Sequence, residues 1–305
     1  MAVELPLVTC VMPTRDRRPF VAQALACFLA QDYPARELIV VDDGADPVAD
    51  LVPADPRVRY IGLREPRSIG IKRNIATQAA RGEIIVGWDD DDWHGPNRIS
   101  AQTAPIAAGT ADVTGLGAPV FLDIRTGWYW ECDTQDWCLF AGLVLCGTLA
   151  YPRTWWLTSG GFPDSSLGED VHFADAALRR HARLASVPAQ GRFVYVRHPG
   201  NTWHFEVGGG GLDGWRRVPP PRWLPQRDRK FYARLRAGGS AGTEAPAARA
   251  RTGTPADTPR RAPAAASARP AAANEPATGT PAATATRVAA GTGTNGPNAA
   301  GRPGR

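Results

Sequence analysis

Six aspartates fall in two short runs, and each run directly follows an apolar segment. Asp42 and Asp43 come after Leu-Ile-Val-Val, and the run 89–92, Asp-Asp-Asp-Asp, comes after Glu-Ile-Ile-Val-Gly-Trp. Consecutive carboxylates repel one another, so a cation or several hydrogen-bond donors must lie nearby. Mg²⁺ and Mn²⁺ sites typically use one or two carboxylates together with the phosphates of a substrate. The run 89–92 therefore predicts a site for Mn²⁺ or Mg²⁺ that also holds a diphosphate.

The apolar pattern of the first hundred residues predicts the elements that position these aspartates. Strands and helices alternate, with strands expected at 7–12, 37–42, 58–62 and 83–88 and helices from Pro19 onward and over 69–80. Such alternation implies an α/β fold with a mostly parallel sheet, flanking helices and right-handed crossovers. Loops 13–16, 42–46 and 89–95 then lie at the carboxyl ends of the strands, where open α/β sheets bind ligands.

The composition changes sharply after residue 237. Residues 238–305 contain eight Arg and three acidic residues, so their net charge of +5 equals that of the whole chain. Ala, Pro, Thr, Gly and Arg dominate there and bulky apolar residues are nearly absent, which predicts a disordered tail. Residues 1–237 are formally neutral, and this speaks against a nucleic-acid partner, because a nucleic-acid-binding fold keeps its positive charge on the folded surface.

The remaining sequence signals exclude several classes of protein. An odd number of cysteines, five, without a CxxC pair argues against a disulfide framework or a structural zinc site. The first residues lack the basic and apolar regions of a signal peptide, and the longest apolar run, 141–151, is too short to span a bilayer. We expect a cytoplasmic protein without a transmembrane segment; peripheral membrane contact and the oligomeric state stay open.

Three segments of the chain follow one another in a characteristic order: VTCVMPTRDRRPFVAQALACFLAQDYPARELIVVDDG, GIKRNIATQAARGEIIVGWDDDDWHGPNRI and SGGFPDSSLGEDVHFADAALRRHARLASVP. Through them, residues from Val8 to about His198 show a resemblance to family 2 glycosyltransferases of the GT-A fold. It implies one GT-A domain over residues 1–237, with a nucleotide-binding half to about residue 110 and an acceptor half over 111–237.

The resemblance implies roles for residues of the nucleotide-binding half. The loop that begins Pro13-Thr14-Arg15 would cradle the base, and one aspartate of the Asp42-Asp43 turn would accept a hydrogen bond from it. Arg73 would point towards the nucleotide. The family's Asp-x-Asp-Asp motif aligns with residues 89–92. By this resemblance, Asp89 and Asp90 would bind the nucleotide-sugar donor and Asp89 and Asp91 would bind the metal. Asp92 would cap the following helix.

The acceptor half would supply the last metal ligand and the catalytic base. His198 fits the family's late histidine better than His204 does, and Asp170, in Gly-Glu-Asp, is the expected base. Its alternative role is that of a carboxylate favoured at a helix N-terminus. Five tryptophans at 128, 130, 137, 155 and 156 are expected mostly in the core, with an acceptor platform as the alternative.

These features together predict a metal-dependent, inverting glycosyltransferase. It would move a sugar from a nucleotide-diphosphate donor, with a UDP-sugar favoured, to a hydroxyl acceptor. Single addition is favoured because Arg222-Trp223 lacks the preceding Gln of the processive Gln-x-x-Arg-Trp motif, and Pro219 stands in its place. The alternatives are a sugar nucleotidyltransferase, which lacks its Gly-rich loop here, and a non-catalytic nucleotide-sugar-binding adaptor.

Overall fold

The computed structural model describes residues 5–132, 140–141, 144–205, 207–208 and 214–239. The tail predicted for 238–305 lies almost wholly outside these residues, as does Trp137. The chain divides into two units at residue 245, and all of the described residues belong to the first unit, residues 1–245.

Thirteen strands and six α-helices make up the described part of the chain. The strands are β1 Val8–Thr14, β2 Arg36–Asp42, β3 Val58–Gly62, β4 Ile84–Gly87, β5 Trp93–His94, β6 Val113–Gly117, β7 Val120–Asp123, β8 Trp128–Cys132, β9 Phe140–Ala141, β10 Val144–Pro152, β11 Leu184–Pro188, β12 Phe193–Arg197 and β13 Trp215–Val218. The helices are α1 Arg18–Leu29, α2 Ile69–Ala79, α3 Arg98–Ala107, α4 Arg153–Ser159, α5 Glu169–Arg179 and α6 Gln226–Gly239.

The larger of two sheets carries the predicted parallel core. Its strands run in the order β11-β6-β10-β4-β1-β2-β3, with β9 paired to β10. Strands β3, β2, β1 and β4 are mutually parallel, whereas β10 is antiparallel to both of its long neighbours, β4 and β6. A second sheet, in the order β13-β8-β7-β12-β5, follows the acidic loop 89–92. The expected mixed α/β architecture with a mostly parallel sheet is confirmed.

Alternate residues of the central strands pack against helices on opposite faces of this sheet. Cys10 and Met12 belong to a cluster with Phe28 of α1, whereas Val11 belongs to one with Ala76 of α2 and Phe173 of α5. Strands buried on both faces read as continuous apolar runs, which is the pattern seen in the sequence.

Local sequence signals fix the ends of the elements that bear the site. A proline in the first turn of α1 suits its start, because that position needs no N–H donor. The Ser68 side chain caps α2 by accepting a hydrogen bond from the N–H of Ile71 at 3.2 Å. No helix in the described ranges combines the length and apolar character needed to cross a bilayer.

Candidate active site

A polar cleft of about 400 Å³ lies at the carboxyl edge of β1 and β4. The acidic loop 89–92 forms its floor, and loop 13–17 and residues 166–170 lie on its sides. Eight residues of the predicted site line this cleft: Pro13, Thr14, Arg15, Arg73, Asp89, Asp90, Asp91 and Asp170. Of the others, His198 contacts Asp91, whereas Asp42 and Asp43 lie behind the lining.

The Asp42-Asp43 turn is held by the protein's own donors. The Asp42 carboxylate accepts hydrogen bonds from the N–H groups of Gly44 and Val48 at 2.8 and 2.9 Å and from the Tyr60 hydroxyl at 3.0 Å. Burial, followed by this bond to Asp42, raises the pKa of Tyr60 to about 12. Asp42 therefore shapes the turn from inside rather than facing the cleft.

Asp43 connects the same turn to the cleft through a lysine. Its carboxylate accepts a hydrogen bond from the N–H of Arg67 at 2.7 Å and forms a buried ion pair with Lys72 Nζ, also at 2.7 Å. Lys72 donates in addition to the carbonyl oxygen of Thr14 at 2.9 Å and lines the cleft. The pair fixes the loop after β1 relative to the turn after β2.

The four aspartates of loop 89–92 have different partners. Asp89 pairs with Arg73 at 2.9 Å, and its carbonyl oxygen contacts His94 Nε2 at 2.9 Å. Asp92 does not cap the following helix as expected, because its carboxylate accepts a hydrogen bond from the N–H of Val196 in β12 at 2.7 Å. Asp92 thus joins the acidic loop to the second sheet.

The two middle aspartates face the side chain of Arg17. The Arg17 guanidinium pairs with Asp91 and lies 3.4 Å from Asp90. Asp91 Oδ2 also contacts His198 Nε2 at 3.0 Å and Asn201 Nδ2 at 3.1 Å. Burial by itself raises the pKa of Asp91, but Arg17 and then His198 outweigh it and lower the pKa to about 2. Burial dominates at Asp90 and raises its pKa to about 7.

The groups around Asp90 and Asp91 fit a divalent cation. Two buried oxygens there, Thr14 Oγ1 and Asp90 Oδ2, have no hydrogen bond of normal geometry among the described residues. Carboxylate oxygens with one imidazole suit Mn²⁺ or Mg²⁺ when substrate phosphates complete the coordination. Among the described residues, no three acidic, His or Cys side chains form a ready-made metal site. Asp89 faces Arg73. His204 is exposed.

Helix α2 connects the acidic loop to α4, to α5 and to the loop between those two helices. Arg73 is buried and binds Glu169 Oε1 at 3.3 Å as well as Asp89. The side-chain oxygen of the adjacent Asn74 accepts from the N–H of Phe162 and from Trp156 Nε1, both at 2.8 Å. The Arg-Asn pair therefore holds the Gly-Gly-Phe loop against the acidic loop.

Asp170 lies in the first turn of α5 and lines the same cleft. Its Oδ1 accepts a hydrogen bond from the N–H of Val171 at 2.8 Å. Its Oδ2 lies 3.6 Å, and Asp89 Oδ2 lies 3.0 Å, from the position that a Cβ on Gly147 would take, so both carboxylates lie over the same residue of β10, and both line the cleft. Burial, and then the charge of Glu169, raise the pKa of Asp170 to about 7. A carboxylate with such a pKa can accept a proton near neutral pH.

Several cleft residues were not predicted from the sequence, among them three with long side chains, and the tryptophans were misplaced. Arg17, Lys72 and Trp203 line the cleft, and the signal for Arg17 was its place in the loop that immediately follows β1. The expectation of a mostly buried tryptophan set is wrong for the four that the structure describes. Trp128 is exposed and the other three are partly exposed, and all four lie outside the cleft lining: Trp128, Trp130, Trp155 and Trp156.

The sequence matches the family model described as glycosyl transferase family 2 over residues 9–151. The Escherichia coli K12 protein WcaA, named for colanic acid biosynthesis, is 39% identical over 104 residues, which are 32% of this chain and 37% of WcaA. The chain therefore spans little more than a third of that relative's length.

Two solved structures share the fold. S. aureus TarS 1-349 in complex with UDP-GlcNAc superposes with a TM-score of 0.52 at 18% identity, over 64% of this chain and 60% of that one. The mannosyltransferase PcManGT from Pyrobaculum calidifontis, in complex with GDP-Man and Mn²⁺, gives 0.51 at 21% identity, over 64% and 57%. This likeness confirms the expected GT-A fold. Over residues 9–151, the chain is therefore similar to glycosyl transferase family 2.

Proposed function

We propose that this protein is a metal-dependent, inverting glycosyltransferase. It transfers one sugar from a nucleotide-diphosphate sugar to an acceptor hydroxyl in a single-addition reaction. The observation that supports this most is the position of Asp170, a half-buried carboxylate with a pKa of about 7 that lies over Gly147 together with Asp89 and lines the same cleft. A general base and a metal-binding acidic loop on one cleft are the two parts that such a reaction needs.

The donor lies along the loops of the nucleotide-binding half in this proposal. Pro13 and Thr14 contact the base or ribose, and Asp89 and Asp90 face the ribose and the sugar. Arg15 and Arg67 line the cleft with largely exposed side chains, so they are available to the phosphates. The Asp42-Asp43 turn supports this loop from behind through Lys72. A UDP-sugar is the favoured donor, although the two solved relatives hold UDP-GlcNAc and GDP-Man respectively.

Asp91 and His198 would hold the divalent cation, with Asp90 beside them. When bound, this ion supplies positive charge to the diphosphate leaving group. Asp170 accepts the proton of the acceptor hydroxyl while the hydroxyl oxygen forms its bond to the anomeric carbon. The bond from that carbon to the diphosphate breaks in the same displacement, so the configuration inverts. Arg73 holds the carboxylates of Asp89 and Glu169 in place through one ion pair with each.

Replacement of Asp170 tests the proposal directly. Asp170→Asn keeps the shape and an acceptor for the Val171 N–H, but the amide cannot take a proton. Release of nucleoside diphosphate from UDP- and GDP-sugars with Mn²⁺, with water or a sugar as acceptor, should fall about 10²–10⁴-fold. The dissociation constant of the donor, measured by calorimetry, should stay within about twofold, since donor binding does not use this carboxylate.

Asp175→Asn is the matched control, because Asp175 lies on the same helix and pairs with Arg179 at the exposed surface. It should leave both quantities unchanged. Turnover by Asp170→Asn at the parental rate would remove Asp170 from the reaction. Donor binding by the parent protein with no turnover on any sugar nucleotide would instead support the adaptor function.

A further inference from the structure

Arg17 lies at the centre of the acidic loop, although it belongs to a different part of the chain. It directly precedes α1, and its guanidinium reaches Asp91 and Asp90 and donates to the Gly200 carbonyl oxygen at 2.5 Å. Its side chain is only 16% exposed. The neighbouring Arg18 faces the opposite way, to Asp46 and Asp50 on the exposed surface.

Arg17 supplies the positive charge beside the two middle aspartates of the acidic loop, Asp90 and Asp91. In the described part of the chain, no other Arg or Lys forms an ion pair with Asp90 or Asp91. A guanidinium loses favourable hydration when it is buried, and two carboxylates at close range offset that loss. The contact is therefore mutually stabilising as long as no other cation is present.

The oxygen that Arg17 contacts is also the one that a metal needs. Asp91 Oδ2 faces both Arg17 Nη1 and His198 Nε2, which is the pair of protein groups assigned above to the cation. A divalent ion between Asp91 and His198 would lie against the guanidinium, and the repulsion between like charges is strong away from bulk water. The two cations cannot share this position.

We propose that Arg17 is an internal counter-ion that competes with the divalent metal for Asp91. The ion-free protein keeps Arg17 on the acidic loop, and metal binding moves the guanidinium off Asp91. The diphosphate of a donor, held in the same cleft, offers the displaced guanidinium a new anionic partner. Donor and metal thereby favour each other's binding. This inference rests on the metal site of the proposed function.

Titration of the nucleotide-free protein with Mn²⁺ tests the competition. The concentration of free Mn²⁺ is followed by its electron paramagnetic resonance signal. Arg17→Gln removes the charge at similar length, and we expect Mn²⁺ to bind about tenfold more tightly, or better. Arg18→Gln makes the same change in net charge on the adjacent residue and should bind Mn²⁺ like the parent. Asp91→Asn should abolish this binding.

The outcomes separate this inference from the proposed function. Equal or weaker Mn²⁺ binding by Arg17→Gln, still abolished by Asp91→Asn, overturns the competition and leaves the metal site intact. Absence of Mn²⁺ binding at millimolar concentration in both the parent and Arg17→Gln overturns the competition together with the metal dependence of the proposed function.

A second measurement uses the parent protein and does not depend on whether Arg17→Gln folds. The Nε–H signal of Arg17 in a nitrogen-15 nuclear magnetic resonance spectrum is assigned by its loss in Arg17→Lys. Saturation with Mg²⁺, which is diamagnetic, should move this signal towards the position and mobility of solvent-exposed arginines. An unchanged signal in Mg²⁺-bound protein would overturn the proposal.

Discussion

Two acidic turns flank β1 at the same edge of the large sheet, and they are built in opposite ways. The turn after β2 has Asp42, whose oxygens accept three hydrogen bonds from the protein. The loop after β4 has Asp90, which is equally buried but has one oxygen without a hydrogen bond of normal geometry. A carboxylate that is fully bonded inside the protein acts as scaffold, whereas one that depends on a displaceable cation is able to bind a ligand.

The largest expected difference between the two turns is in catalysis. Asp91→Asn should lower the rate of nucleoside diphosphate release by about 10²-fold or more, because the cation that stabilises the leaving group loses its ligand. Asp42→Asn, assayed at a temperature at which it is folded, should keep the parental kcat within about threefold, because Asp42 lies behind the cleft lining. Rates are measured with saturating donor and Mn²⁺. A fall in the kcat of Asp42→Asn as large as that of Asp91→Asn would contradict the distinction between a structural turn and a catalytic one.

The next largest expected difference is in the free energy of unfolding. Here we expect the substitution of Asp42 to have the larger effect. Asp42→Asn turns an NH₂ group towards donors that need an acceptor, and it should lower the free energy of unfolding by about 2–3 kcal/mol. Asp90→Asn should change it by less than about 1 kcal/mol, because the buried charge that it removes is itself unfavourable. Urea denaturation in EDTA gives both values. Similar losses in the two variants would contradict the conclusion that Asp42 maintains the fold whereas Asp90 is available to bind a ligand.

The sequence predicted the parallel core closely because its signals are local. The third strand, Val58–Gly62, has the predicted bounds, and the strand ending in Asp42 and helix α2 differ from prediction by one residue at one end. Buried parallel strands give continuous apolar runs, which mark their positions in the sequence. The fold class followed from these elements and from the resemblance.

The partners of the site residues could not be predicted from the sequence. Arg15, Arg17 and Arg18 lie within four positions, yet one lines the cleft with its side chain half exposed, one enters the acidic loop and one pairs with surface aspartates. The partner that each arginine reaches depends on the direction in which the chain leaves β1. For Arg17 it also depends on Gly200, which is far away in sequence. Residue types alone do not contain that information.

The second sheet was missed for a related reason. Strand β5 has only two residues, and its pairing with β12 joins segments about a hundred residues apart. The Asp92 carboxylate accepts a hydrogen bond from the N–H of Val196, which lies in β12. A carboxylate that was expected to cap a helix therefore binds the backbone of a strand. Pairings between such distant short segments leave no periodic pattern in the sequence.

The smallest expected effect concerns Asp170, whose ionised form is less favourable in the folded protein than in the unfolded chain. The ordinary pKa of an aspartate in an unfolded chain is about 3.9, and in the folded protein that of Asp170 is raised to about 7. Between these two values the folded state binds the proton more tightly, so this group's contribution to stability is fully present below about pH 4 and is lost as the pH rises through about 7.

Asp170→Asn lacks this titration, so its free energy of unfolding should fall less steeply than the parent's between about pH 5 and pH 8. The difference between the two slopes should accumulate to on the order of 1–2 kcal/mol, less than a fully buried group would give, because Asp170 is partly exposed to water. Urea denaturation in EDTA across this range measures it, and Asp175→Asn, exposed on the same helix, should follow the parent curve. Parallel curves for Asp170→Asn and the parent would mean that the fold tolerates this charge as it tolerates that of a surface carboxylate. Asp170 would then belong with the scaffold carboxylates, and the base of the transfer reaction would have to be Glu169, its buried neighbour at the start of α5.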